Sequence, residues 1–342
     1  MDYSISISVI MATYNTEISV LKEAVDSILD QTFKDFEFII IDDGSDNGTY
    51  DYLSNIKDSR VSIIKNPCNV GITKSLNIGL RNAKGKYIAR MDADDISSPD
   101  RLEKEFCYME KHADVIVCGS GMASIDDKGK ETGFAYIPQY KNMNDYRAKM
   151  LFKNPGPVHP TAMIRHETLK NNGIMYDERL IYAQDYGLWE VLSHYGKIHI
   201  LNTILLYRRK HEKQITIEKK DVQIRCDQMT QKKILSALLG EVTDEEVNFH
   251  YMYSSGRYPK TTITPEVSAW YERLLRENLS KRIYDQKYLY RNIIMAKKML
   301  VAQSFEPGMS LFDQAKLIFR YIPFFPGIRM IGGCLKRKLT GR

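Results

Sequence analysis

Two apolar runs early in the chain each stop abruptly in a cluster of carboxylates. Phe36-Glu37-Phe38-Ile39-Ile40-Ile41 ends in Asp42-Asp43-Gly44-Ser45, and the strand-like stretch Lys86 to Met91 ends in Asp92-Ala93-Asp94-Asp95. A run of this kind reads as a strand buried on both faces, which belongs inside a parallel sheet covered by helices. Like charges gathered at the end of such a strand repel one another unless a cation or hydrogen-bond donors compensate. In open parallel sheets, ligands bind beyond the carboxyl ends of the strands, where both clusters fall.

The segments around these runs support the same architecture. Ile5 to Met11 is β-branched, and Val20, Leu21, Ala24, Val25, Ile28 and Leu29 recur at helical spacing. A helix to about Ile56, a strand at Val61–Ile64, a helix over Ile72–Asn82, a helix opened by Pro99 and a strand at Val115–Cys118 follow. This alternation predicts an α/β fold with a mostly parallel sheet and helices on both faces. Residues 119–160 are less regular, with a turn signal at Asp126-Asp127-Lys128-Gly129 and a Pro-rich stretch from Asn154 to Pro160. A helix around Gln184 to His194 and strands near Ile198 to Tyr207 come next, and beyond about Ile217 the chain reads as helices. The expected domains are 1–216 and 217–342.

Two readings of the carboxylates stand side by side. They are helix caps and turn residues, or they hold a hard divalent cation through oxygen, shared with a diphosphate. Capping needs only one carboxylate before a helix, and Asp92-Ala93-Asp94-Asp95 supplies three. No Gly-x-x-x-x-Gly-Lys-Ser/Thr and no Gly-x-Gly-x-x-Gly follows the first strand, so the usual phosphate cradles are missing. Phosphate work in this chain then falls to a metal.

Composition narrows the class further. At 43% hydrophobic and 27% charged, the 342 residues are globular rather than disordered or collagen-like. The five cysteines are scattered, with no C-x-x-C pair, which points away from a zinc site or disulfide framework and towards a reducing compartment. Residues 1–8 lack the features of a signal peptide, and no apolar stretch is long enough to span a bilayer. From Lys281 onwards there are thirteen basic and three acidic residues, a net +10 that leaves −4 for the rest of a chain whose total is +6. Such a tail suits an anionic partner, a phospholipid surface or a nucleic acid; no nucleic-acid-binding module accompanies it.

Four segments in order resemble glycosyltransferase family 2. They are Ser8-Val9-Ile10-Met11-Ala12-Thr13-Tyr14-Asn15, Ile39 to Ser45, the glycine-flanked Asn69 to Leu80, and Gly85 to Asp95. The resemblance covers roughly residues 5–215. It implies the GT-A fold and inverting sugar transfer from a nucleotide-diphosphate donor, with UDP-sugars expected. It also implies that Asp43 hydrogen-bonds the base, with Ala12 and Tyr14 lining the base pocket. Asp92 is expected at the ribose or a metal water, and Asp94 as a direct ligand of Mn²⁺ or Mg²⁺, with Asp95 behind it.

Farther on, Ala183 to Trp189 resembles the family's Glu-Asp motif at a helix start, with Gln184 in place of the Glu. The resemblance makes Asp185 the general base; the alternative is an acid stabilised by the helix dipole. Tyr207 to Thr216 resembles the Arg-x-His segment, so His211 is a metal-ligand candidate or a solvated loop histidine. His159, before Pro160, is a candidate for the acceptor side or a structural turn residue.

The reading is therefore a hexosyl- or N-acetylhexosaminyltransferase of surface-polysaccharide synthesis, acting on a glycan or lipid-linked acceptor. Its expected place is the cytoplasm or the inner face of the membrane. The alternatives are a sugar-nucleotide pyrophosphorylase, whose Gly-rich, Arg-containing start is missing, and a non-catalytic sugar-nucleotide-binding scaffold. Retention of Asp43, Asp92, Asp94 and Asp185 together argues against the scaffold. The apolar and basic residues from Tyr288 to Ile331 suit either a membrane interface or a helical cap.

Overall fold

The computed structural model describes residues 3–210, 219–256, 261–306 and 308–322. The chain divides into two compact units: residues 1–139 with 155–227, and residues 140–154 with 228–342. The boundary expected between residues 216 and 217 lies outside the described residues.

The first unit is built on one nine-stranded sheet. Its N-terminal half contains β1 (Ile5–Thr13), α1 (Ile18–Leu29), β2 (Phe36–Asp42), α2 (Thr49–Ser54), β3 (Val61–Lys65), α3 (Ile72–Asn82) and β4 (Gly85–Asp92). β5 (Ile96–Ser97), α4 (Arg101–Lys111), β6 (Val115–Ile125) and β7 (Glu131–Tyr136) follow. A 3₁₀ turn (His159–Thr161) then leads to β8 (Met163–Arg165), α6 (His166–Asn171), α7 (Gln184–Leu192) and β9 (Lys197–Arg209). The strand order is β3-β2-β1-β4-β8-β6-β9-β5, with β7 paired to β6.

The first four strands in that order run parallel. Beyond them the sheet is mixed, because β8 is antiparallel to both of its neighbours, whereas β6 and β9 are parallel. The irregular stretch of the sequence holds a hairpin: β6 pairs antiparallel with β7 across the predicted Asp126–Gly129 turn.

β1 is buried on both faces, as a central parallel strand must be. Ile7, Val9 and Met11 join Leu21, Ala24, Val25 and Ile28 of α1, Phe38 and Ile40 of β2, and Leu102 and Met109 of α4 in one core. On the opposite face Ile10 and Ile41 lie under α3. A Cβ on Gly79 would stand 2.5 Å from Ile10 Cγ2, so only glycine lets this helix sit so close to the sheet.

The chain leaves β1 towards β2 and β3 on one side and returns to β4 on the other. That reversal marks the crevice where ligands bind in such sheets. Register places the acidic ends there together: Thr13 pairs with Asp42, and Ala12 pairs with both Ile41 and Asp92.

The second unit is helical: α5 (Met143–Met150), the C-terminal part of α8 (Lys220–Leu239), α9 (Asp244–Ser254), α10 (Pro265–Lys281), α11 (Gln286–Gln303) and α12 (Leu311–Tyr321). Val267, Tyr271, Leu274, Leu289, Ile293, Leu300 and Val301 are buried in it. Among the described residues no helix is long and apolar enough to cross a membrane.

Candidate active site

At the end of β2 the two adjacent aspartates have different surroundings. Asp43 Oδ1 accepts from Asn66 Nδ2 (2.8 Å) and Val70 N (2.9 Å), and Oδ2 accepts from Gly71 N (2.9 Å). Both oxygens thus brace the start of α3. Asp42 Oδ1 accepts from Ser45 N (3.0 Å), while its buried Oδ2 meets no donor. Asp42 Oδ2 is thus a buried carboxylate oxygen without a hydrogen-bond partner, on a residue the sequence reading did not select. Gly44 holds a positive φ, and a Cβ there would stand 2.5 Å from the Cys68 carbonyl carbon. The Asp-Asp-Gly order is what lets the β2 and β3 loops touch.

Ala12 is partly buried beside this strand end, and Tyr14 is 49% exposed, its ring available for stacking. The loops after β1 and β2 are stitched together: Asn15 N donates to Ser45 Oγ (2.9 Å), and Asp46 N to Asn15 Oδ1 (3.0 Å).

At the end of β4, Asp92, Asp94 and Asp95 bring ligand oxygens within 4.8 Å of one another. Asp92 and Asp94 are partly exposed, and Asp95 is buried. Asp95 Oδ1 accepts from Arg209 N (3.1 Å), and its buried Oδ2 has no partner. Burial first, then the charges of Asp94 and Asp92, push the Asp95 carboxyl well above the ordinary carboxylate range. A buried oxygen without a donor, among three carboxylates, fits a hard cation ligated by oxygen.

Two buried arginines support this cluster, and neither was selected from the sequence. Arg90, 2% exposed, pairs with Asp92 through Nη2 (2.5 Å), while its Nε and Nη1 are buried without partners. Arg90 and Asp92 are two apart on a strand, so both side chains leave the same face, a signal that was available. Arg209 donates through Nε to Asp94 O (3.1 Å) and through Nη1 to Asp127 O (2.9 Å), and pairs with Glu23. It fixes the backbone that carries the acidic run.

Asp185 lies in the first turn of α7, where the helix dipole favours negative charge. His159 is buried, and its Nε2 lies 2.8 Å from the Tyr176 hydroxyl. Burial, reinforced by the Arg90 charge, holds His159 well below the usual imidazole range, so it is neutral at pH 7. Tyr176 is held well above the usual phenol range by burial, with the negative charges of Asp185 and Asp92 adding to the shift and Arg90 opposing it. Arg90, Asp92, His159, Tyr176 and Asp185 therefore share one electrostatic neighbourhood. Trp189 of α7 closes it, its Nε1 donating to Pro157 O (3.1 Å) and its indole ring edge-on to His159. His211 lies outside the described residues.

Comparison with known proteins agrees with this geometry. The family model described as Glycosyl transferase family 2 matches residues 8–173. An uncharacterized glycosyltransferase of Methanocaldococcus jannaschii is 40% identical over 210 residues, covering 59% of this chain and 70% of that protein. The chain belongs to glycosyltransferase family 2. It is also similar to the Escherichia coli protein WfaP, named a UDP-Glc:alpha-D-GlcNAc-diphosphoundecaprenol beta-1,3-glucosyltransferase. Identity to WfaP is 28% over 222 residues, covering 62% of this chain and 80% of that protein. Among solved structures, S. aureus TarS 1–349 in complex with UDP-GlcNAc superposes with a TM-score of 0.56 at 17% identity, over 99% of this chain and 93% of that one. The fold is GT-A, with helices C-terminal to the sheet.

Proposed function

We propose that this glycosyltransferase moves a sugar, with inversion, from a UDP-sugar to a hydroxyl of a glycan or lipid-linked acceptor in surface-polysaccharide assembly. The observation that carries the reading is the set of three carboxylates at the end of β4, beside the sheet's reversal point. The UDP-GlcNAc complex of TarS and the lipid-linked acceptor in the WfaP name support the choice of donor and acceptor class.

The transfer is one in-line displacement. The acceptor oxygen bonds to the anomeric carbon as the bond from that carbon to the diphosphate oxygen breaks, and the electron pair leaves with UDP. Asp185 takes the acceptor's proton on a carboxylate oxygen, as a positioned base. The strand-end residues do a separate job. Asp43 and Ala12, with Tyr14 and its exposed ring, receive the base, beside the buried and unpartnered Asp42 Oδ2. Asp94 would hold Mn²⁺ or Mg²⁺ directly, with Asp92 at the ribose or a metal water, Asp95 behind them and His211 as a further candidate ligand. When bound, the cation supplies counter-charge to the leaving diphosphate. His159, neutral and tied to Tyr176, lines the acceptor side.

The same reading places the enzyme peripherally at the inner face of the membrane. α12 presents Leu311, Phe312 and Phe319 to solvent, with Phe312 69% exposed, alongside the exposed Lys316 and Arg320. Aromatic and basic residues on one exposed side suit an anionic interface.

The test is UDP release from a panel of UDP-sugars, with Mn²⁺, with Mg²⁺ and with EDTA. Release from at least one donor, lost in EDTA, supports the reading. No release from any donor, with UDP still bound, would make the chain a sugar-nucleotide-binding scaffold. A requirement for pyrophosphate would make it a pyrophosphorylase.

A further inference from the structure

The glycine-flanked segment Asn69–Leu80 contributes no reacting group, yet α3 buries three polar side chains, Thr73, Ser75 and Asn77. A buried polar group without a partner is destabilising, so the partners of these three say what the helix holds. Ser75 Oγ accepts from Asn66 Nδ2 (2.9 Å), and the same amide donates to Asp43 Oδ1. With Val70 N and Gly71 N also on Asp43, the start of α3 is tied to the end of β2.

The other two face a different segment. Asn77 Oδ1 accepts from Tyr176 N (3.0 Å), and Asn77 Nδ2 donates to Tyr176 O (3.0 Å) and Glu178 Oε1 (3.2 Å). The side-chain amide thus pairs with the Tyr176 backbone as a neighbouring strand would. One turn earlier, Thr73 Oγ1 lies 3.1 Å from Leu180 O and 3.3 Å from Ile181 O. Ala183, two residues beyond Ile181, caps α7, whose second residue is Asp185. Leu180 and Ala183 are packed with Cys226, so the segment is gripped from a second side.

We propose that Asn77 and Thr73 are positioning residues for Asp185, and that α3 is the strut joining the β2 end to the segment carrying the base. The inference rests on Asp185 being the base. A displacement of about 1 Å in a reacting group can cost about 10²-fold in rate, so slack in residues 176–183 is read directly in kcat.

The experiment uses the full chain and the best donor of the panel, with Mn²⁺. Asn77→Asp loses the Nδ2 donor and sets a negative charge against the Tyr176 carbonyl and Glu178, which drives the side chain off the Tyr176 backbone and its N–H. Thr73→Val removes the hydroxyl at constant shape, and Thr73→Ser restores it. Donor affinity is read by calorimetry, turnover by UDP release, and the Tyr176 amide by hydrogen exchange. The expected result is a kcat lowered ~10-fold or more in Asn77→Asp and Thr73→Val, donor Kd within about twofold, faster exchange at Tyr176 in Asn77→Asp, and near-parental kcat in Thr73→Ser. Parallel loss of donor affinity and kcat would reduce α3 to a structural helix and overturn the proposal. So would full kcat in Thr73→Val, which decides the matter alone if Asn77→Asp does not fold. Asp185→Asn is run alongside. If it turns over normally, the base assignment fails, while the Tyr176 exchange still reports whether Asn77 holds the segment.

Discussion

Asp94 and Asp95 are adjacent in the chain but meet different environments, and the difference predicts different behaviour on substitution. Asp94 is partly exposed at the mouth of the cluster, whereas Asp95 is 2% exposed and accepts the Arg209 backbone N–H. Asp94→Ala is expected to weaken UDP binding by about tenfold or more in Mn²⁺ and to leave binding in EDTA nearly unchanged. Titration calorimetry with UDP in the two buffers checks this; equal affinity of variant and parent at saturating Mn²⁺ would take Asp94 out of the metal site. Asp42 and Asp43 divide in a similar way. Asp43 spends both oxygens on Asn66, Val70 and Gly71, so Asp43→Asn is expected to lower stability. Asp42→Asn, which changes the unpartnered oxygen, is expected to lower UDP affinity at similar stability. Urea midpoints and UDP affinities for the pair separate the two roles, and identical behaviour of both variants would refute the division. Sequence patterning identified this strand end and the resemblance chose Asp43, but neither could show how differently the two aspartates are bonded. Their difference lies in where the β3–α3 loop folds back, a contact across more than twenty residues.

At the scale of elements, one histidine shows how a helix junction sets pH dependence. His250 of α9 donates through Nε2 to Leu151 O (2.6 Å) and accepts at Nδ1 from Trp270 Nε1 of α10 (2.9 Å). The ring is neutral in this arrangement, and burial lowers its pKa to about 4, against the opposing pull of the Leu151 carbonyl. The unfolded chain protonates His250 near the ordinary value of about 6.5, so below that pH the unfolded state binds the extra proton. Stability from this group is complete above about pH 6.5 and is lost as pH falls towards about 4. Between pH 7 and pH 5 the loss is about 2 kcal/mol. Urea unfolding of parent and His250→Gln at the two pH values checks it. The variant is expected to be weaker at pH 7 but to lose less on acidification; parallel losses would contradict the assignment. Helical character beyond residue 217 was legible from composition, but this buried triad was not. Its members come from three separated segments, and no periodicity connects Leu151, His250 and Trp270.

For the whole molecule, the strand–helix alternation predicted the fold and the acidic strand ends pointed to the candidate site, because a parallel sheet puts its strand ends and its reversal point together. The antiparallel β8 and the buried Arg209 were not readable, since an arginine at a strand end says nothing about its partner, whereas Arg90 could have been found from its spacing to Asp92. The basic C-terminal region gives the molecule an expected behaviour of its own. The full chain is expected to sediment with vesicles containing anionic lipid, less so as salt rises, and Phe312→Ala combined with Lys316→Glu is expected to weaken that binding several-fold. Equal recovery in the supernatant with neutral and anionic vesicles would leave α12 a cap and nothing more. The central claim is that the strand-end carboxylates hold the donor while Asp185 does the proton transfer. Its most direct test is Asp185→Asn, with UDP-sugar affinity and turnover measured on the same preparation. The account predicts nearly intact donor affinity and turnover lowered by ~10² or more. Near-parental turnover with unchanged donor binding would contradict it and assign the base to another group.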